Sequence, residues 1–125
     1  MSEHEMTIEQ IEEWLDLSGF DGNDDAALSA WASDRHGTIT RDSIHELASE
    51  FYEEYVGIYD ADEGMYGQLW ATGYVEECLD EGLFGDIPES LRGHIDILGL
   101  AQDMELGGDI YTIEADFETV YVFRP

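Results

Sequence analysis

The sequence carries 31 Asp and Glu residues against four arginines and no lysine, a formal charge of −27. Any fold it adopts must carry that charge as a surplus on its surface and build its core from what remains. Highly charged chains with few apolar groups stay disordered, because they cannot offset the entropy of ordering. This chain, however, holds 3 Trp, 7 Tyr and 5 Phe, and Trp14, Phe20, Trp31, Phe51, Tyr55, Tyr59, Trp70, Tyr74, Phe84, Tyr111, Tyr121 and Phe123 run through its whole length. With 43% apolar residues over 125 positions, the expectation is a folded protein, either one domain or two small lobes sharing a core.

The surplus repels nucleic acid and anionic membranes and favours basic surfaces. Cys78 is the single cysteine, so no internal disulfide forms. No apolar run approaches the roughly 20 residues that span a bilayer, and the residues after Met1 are unlike a signal peptide. A cytoplasmic location is expected.

Thr7 and Gln10 form a capping-box pattern before Ile8, Ile11, Trp14 and Leu15, predicting a first helix over 7–18 that ends at Gly19. Asn23, Asp24 and Asp25 offer caps for a second helix holding Ala26, Leu28 and Trp31, stopped at Gly37. Thr40 can cap a third, with Ile44, Leu47, Ala48, Phe51 and Tyr52 on one face and Asp42, Glu46, Glu50, Glu53 and Glu54 outside it. Asp60 reads as the cap of a fourth helix to about Leu79, with Met65, Leu69, Trp70, Tyr74, Val75 and Cys78 as apolar positions, weakened by Gly64, Gly67 and Gly73. Pro88 suits a short helix through Leu91, and Asp96 caps another that ends at Gly107 and Gly108. Two β-rich runs, 110–113 and 120–123, predict a carboxy-terminal hairpin. The fold class is α+β, mainly helical: a helical lobe over 1–53, then a small α+β lobe over 54–125.

Motifs for chemistry are sparse. Close acidic pairs such as Glu12 with Glu13 are unavoidable at this composition and select no catalytic pair. His4, His36, His45 and His94 lack zinc-helix spacing, and Cys78 sits among apolar positions, as a core residue does. Asp21, Asn23 and Asp25 match the first positions of a calcium loop, but Ala26 and Ala32 stand where glycine and a bidentate glutamate are required. A second partial match from Asp60 and Asp62 fails at Met65 and Ala71. There is no Gly-rich phosphate loop, and four scattered arginines make no nucleic-acid surface. The reading is a protein that is not an enzyme, with no cofactor and no metal.

The charge itself is the remaining candidate. Duplex DNA carries about one charge per 1.7 Å of axis, so this chain matches roughly 13 base pairs and a dimer roughly 27. Glu9, Glu12, Glu13 and Asp16 recur at helical spacings of three and four, and Glu46, Glu50, Glu53 and Glu54 do the same. Such neighbours repel, so a benefit elsewhere must maintain them. Salt adaptation is the competing explanation, since abundant acid without lysine also suits concentrated salt.

Several stretches carry a family resemblance: Tyr55, Gly57, Tyr59 and Asp60; Ile87, Pro88, Glu89 and Leu91 followed by Ile95 and Asp96; Ala101, Asp103, Met104, Glu105 and Leu106 followed by Gly108 and Asp109; and 120–124. In this order they resemble the second part of the ArdA-type antirestriction proteins, acidic DNA mimics encoded by mobile genetic elements. The resemblance implies an elongated, curved dimer that inhibits type I restriction-modification enzymes by filling their DNA groove. It is confined to residues from about Phe51 onward, and the family's additional amino-terminal α/β lobe is expected to be absent. His94 stands where the family pattern has tyrosine. The expected phosphate-mimicking side chains are Glu9, Glu12, Glu13, Asp16, Glu46, Glu50, Glu53, Glu54, Asp60, Asp62, Glu63, Glu76, Glu77, Asp80 and Glu81. The alternatives are mimicry aimed at a CRISPR complex or another DNA-binding protein, and a halophilic regulatory protein without mimicry.

Overall fold

Thr7 opens the first helix by a reciprocal exchange: the Gln10 N–H donates to the Thr7 hydroxyl at 3.2 Å and the Thr7 N–H to the Gln10 side chain at 2.9 Å. The computed structural model describes residues 5–64 and 67–125. Helix α1 spans Ile8–Leu17 and buries Ile11 and Leu15. A 3-10 turn, Gly22–Asp24, follows, capped by the Asp21 carboxylate accepting from the Asn23 N–H at 2.9 Å. Helix α2 is Asp25–Arg35; its N-cap, Asp24, makes no side-chain cap bond, and Asp24 instead accepts from the Tyr52 hydroxyl at 2.8 Å. Thr40 and Ser43 exchange hydrogen bonds in the turn before α3, Ile44–Glu54, whose buried side is Ile44, Leu47, Ala48 and Phe51. Trp31 and Phe51, both fully buried, meet edge to face at 5.8 Å.

The chain divides into two compact units, Met1–Glu54 and Tyr55–Pro125. The second unit departs from the expected long helix. Asp60 caps no helix: Tyr55–Asp60 is strand β1, followed by two short strands, β2 (Asp62–Glu63) and β3 (Leu69–Trp70), which pair antiparallel. Helix α4 begins only at Thr72 and runs to Asp80. The apolar run is continuous because Leu69 and Trp70 bury from β3 while Tyr74, Val75 and Cys78 bury from α4. Gly73 is required for packing: a Cβ there would lie 3.0 Å from the backbone N and O of Asp60, so glycine lets α4 lie against β1. Met65 lies outside the described residues, as does His4.

Pro88 precedes α5, Glu89–Arg92. Asp96 caps α6, Ile97–Leu106, its carboxylate accepting from the Gly99 N–H at 2.9 Å. The predicted hairpin forms as β4 (Tyr111–Glu114) and β5 (Thr119–Phe123), but β1 pairs with the other edge of β5 in a three-stranded antiparallel sheet ordered β1-β5-β4. Buried Tyr74, Cys78, Ile110, Val120 and Val122 form the core between this sheet and α4. Among the described residues there are six α-helices and five strands, a mixed α+β fold that is mainly helical.

One carboxylate is built into this unit. Glu105 is half-buried on α6, accepts from the Thr112 hydroxyl at 2.8 Å and from the Ala71 N–H at 3.3 Å, and so ties α6 to β4 and to the N-cap residue of α4. Burial raises its pKa, partly countered by those two donors. The folded state therefore holds this proton to higher pH than the unfolded chain, and the contribution to stability falls as pH rises from the ordinary glutamate range through the raised value. Glu105→Gln has no charge to desolvate: its one amide oxygen can still accept from the Ala71 N–H, and its NH2 can donate to the Thr112 hydroxyl, which turns to accept. Its stability relative to the unaltered protein is expected to improve steadily from acid to neutral pH in denaturant titrations. Glu105→Ala is expected to cost about 1–3 kcal/mol, because the buried Ala71 N–H loses its partner.

Candidate partner-binding surface

The amphipathic division of α1 that buries Ile11 and Leu15 turns Glu9, Glu12, Glu13 and Asp16 outward, all exposed. Asp16 also has a local task, since its carboxylate accepts from the Gly22 N–H at 2.9 Å. A Cβ on Gly22 would sit 2.7 Å from that carboxylate, so glycine is needed for the approach. On α3 the side opposite Ile44, Leu47 and Phe51 presents Glu46, Glu50 and Glu53 to solvent, with Glu54 half-buried. His36 Nε2 lies 3.5 Å from the Glu50 carboxylate.

In the second unit, Glu76, Glu77 and Asp80 are exposed on α4, and Glu81 is its exposed C-cap. The Tyr59 hydroxyl is hydrogen-bonded to Glu77, and burial together with that anionic neighbour pushes the phenol well above its ordinary pKa. Asp80 is paired with Arg92 at 2.7 Å. Asp60, Asp62 and Glu63, expected on a helix, are exposed on strands β1 and β2 instead. Asp62 accepts from the Thr72 hydroxyl at 2.7 Å, which fixes it against the start of α4.

The predicted carboxylates thus fall into two groups in the first unit, on α1 and α3, and two in the second, on α4 and on β1–β2. Glu114, Asp116 and Glu118, around the β4–β5 turn, are exposed as well and were not among the sequence candidates. Their alternation at every second position is a strand-like signal that a search for helical spacing passes over. Four arginines cannot neutralise 31 acids, so most of this charge has no cation within the chain.

Among the described residues, no group of three or more His, Cys, Asp or Glu side chains is arranged to hold a metal ion. The calcium-like Asp21, Asn23 and Asp25 make local bonds: the Asp21 carboxylate accepts from the Asn23 N–H at 2.9 Å, and the Asp25 carboxylate from the Ala26 N–H at 2.6 Å. Cys78 is buried on α4, and burial pushes its thiol pKa up, away from the thiolate that nucleophilic chemistry needs.

No curated protein and no solved structure matches the chain significantly. A protein-family model described as antirestriction protein (ArdA) matches residues 1–119. The match takes in the whole first unit, whereas the sequence motifs placed the likeness only from about Phe51 onward. Covering most of the 125 residues, it establishes that the chain belongs to the ArdA antirestriction protein family.

Proposed function

We propose that this chain carries out antirestriction as a DNA mimic, occupying the DNA groove of a type I restriction-modification enzyme through its outward carboxylates and performing no chemical step. The observation that carries this reading is the linear density of charge on its helices. Glu9 to Asp16 spans about 10.5 Å of helix axis, so four charges fall about 3.5 Å apart on average. The same measure gives about 4 Å for Glu46 to Glu54 and about 2.5 Å for Glu76 to Glu81. One strand of B-DNA carries a charge every 3.4 Å of axis. Helices held by buried apolar side chains present these charges with little entropy left to lose on docking, unlike an acidic disordered tail.

The direct test is competition between the purified protein and a labelled duplex for a purified type I enzyme. Displacement is expected, with an affinity that falls steeply as salt rises, because a basic groove and an acidic ligand both release or screen counterions. Circular dichroism is expected to show the protein folded at low salt, where binding is tightest. Unfolding on salt removal would favour the halophilic reading. Displacement of DNA from a CRISPR complex or a nucleoid protein, but not from the type I enzyme, would keep the mimicry and move the target.

A further inference from the structure

Phe117, in the turn between β4 and β5, is 81% exposed. Single exposed apolar residues are common, but this one sits in a hydrogen-bonded turn whose sequence is acidic on both sides. The Asp116 carboxylate accepts from the Glu118 N–H at 2.8 Å and the Thr119 N–H at 2.9 Å. The Ala115 and Asp116 N–H groups donate to the Thr119 carbonyl at 3.0 and 3.3 Å. Those donors favour the ionised form and hold the Asp116 carboxyl below its ordinary pKa. Exposed Glu114 and Glu118 stand on either side of the ring in sequence.

An exposed aromatic ring with exposed carboxylates among its sequence neighbours suits an arginine. Guanidinium is planar and weakly hydrated, stacks on rings, and offers N–H donors in its own plane to anions beside the ring. Grooves that grip a phosphate backbone are lined with such side chains. Resting on the mimicry reading above, we propose that Phe117 is an aromatic anchor that stacks on an arginine of the partner's DNA groove, while Glu114 and Glu118 accept hydrogen bonds from that side chain or its basic neighbours.

The experiment is the same duplex competition on the type I enzyme, run with Phe117→Ala, Phe117→Leu and Phe117→Trp at several salt concentrations. The Ala and Leu variants are expected to bind about tenfold more weakly, the Trp variant at least as tightly as the unaltered protein, and all with unchanged melting temperature and salt slope. Leucine keeps apolar bulk but has no ring face, so Leu binding within twofold of the unaltered protein would overturn the stack, and Ala within twofold would overturn the anchor altogether. Either result leaves displacement by the unaltered protein intact. If the unaltered protein displaces no duplex, the mimicry reading fails and takes the anchor with it.

Discussion

Replacing Glu9, Glu12 and Glu13 together by glutamine is expected to weaken duplex displacement by about 10²-fold at low salt, while leaving the protein as stable as before or slightly more so. All three are exposed on the side of α1 opposite Ile11 and Leu15, and glutamine keeps their length and helix propensity. If each charge contributes about 1 kcal/mol against a basic groove, three amount to roughly two decades of affinity. The slope of log affinity against log salt should fall by up to about 3, one for each phosphate equivalent lost. Stability moves the other way: Glu9–Glu13, Glu9–Glu12, Glu12–Asp16 and Glu13–Asp16 are like-charge neighbours at helical spacing, each costing a few tenths of a kcal/mol. Loss of Glu9 from the first turn offsets part of that relief, because a negative charge there complements the helix dipole. Asp16 is left in place because it holds Gly22. Isothermal titration and thermal unfolding measure the two effects separately. Unchanged affinity in a folded triple variant would remove α1 from the binding surface.

What the sequence discloses follows the range of the interactions involved. Helix α1 is legible to within one residue at each end because its cap, Thr7 with Gln10, and its apolar spacing are local. Strand β1 is not, since Tyr55–Asp60 is held by pairing with Thr119–Phe123 far along the chain, and nothing within its own window shows that partner. The stretch before α4 misleads for a different reason. Leu69, Trp70, Tyr74, Val75 and Cys78 satisfy helical spacing as one series, yet the first two bury from a strand and the rest from a helix. The candidate surface divides in the same manner. That Glu9, Glu12, Glu13 and Glu46 face solvent follows from helical spacing, whereas the ties of Asp62 to Thr72, Glu77 to Tyr59 and Asp80 to Arg92 depend on tertiary placement.

The long-range pairing rests on Phe123, the largest fully buried side chain among the described residues of the second unit. It is fully buried at the end of the central strand β5, opposite Tyr55 on one side and Tyr111 on the other. Its ring stacks on Tyr111 at 4.9 Å and tilts against Tyr55 at 5.4 Å, so one side chain joins both edges of the sheet. Phe123→Ala is expected to cost about 3–5 kcal/mol through lost burial and the cavity left behind. Against a typical total of 5–15 kcal/mol, that is a large fraction of stability, and a fall in melting temperature of more than about 12 °C should follow. Phe123→Leu, which fills most of the space, is expected to recover the larger part. The loss should be confined to Tyr55–Pro125 in hydrogen exchange, with protection retained around Trp31 and Phe51. A shift of under about 3 °C for the alanine variant would show that β1 and β4 do not depend on β5 for their place. Because Asp60, Asp62 and Glu63 lie on β1 and β2, DNA displacement should weaken together with the fold in this variant, unlike the glutamine variants of α1, in which affinity falls while the melting curve holds.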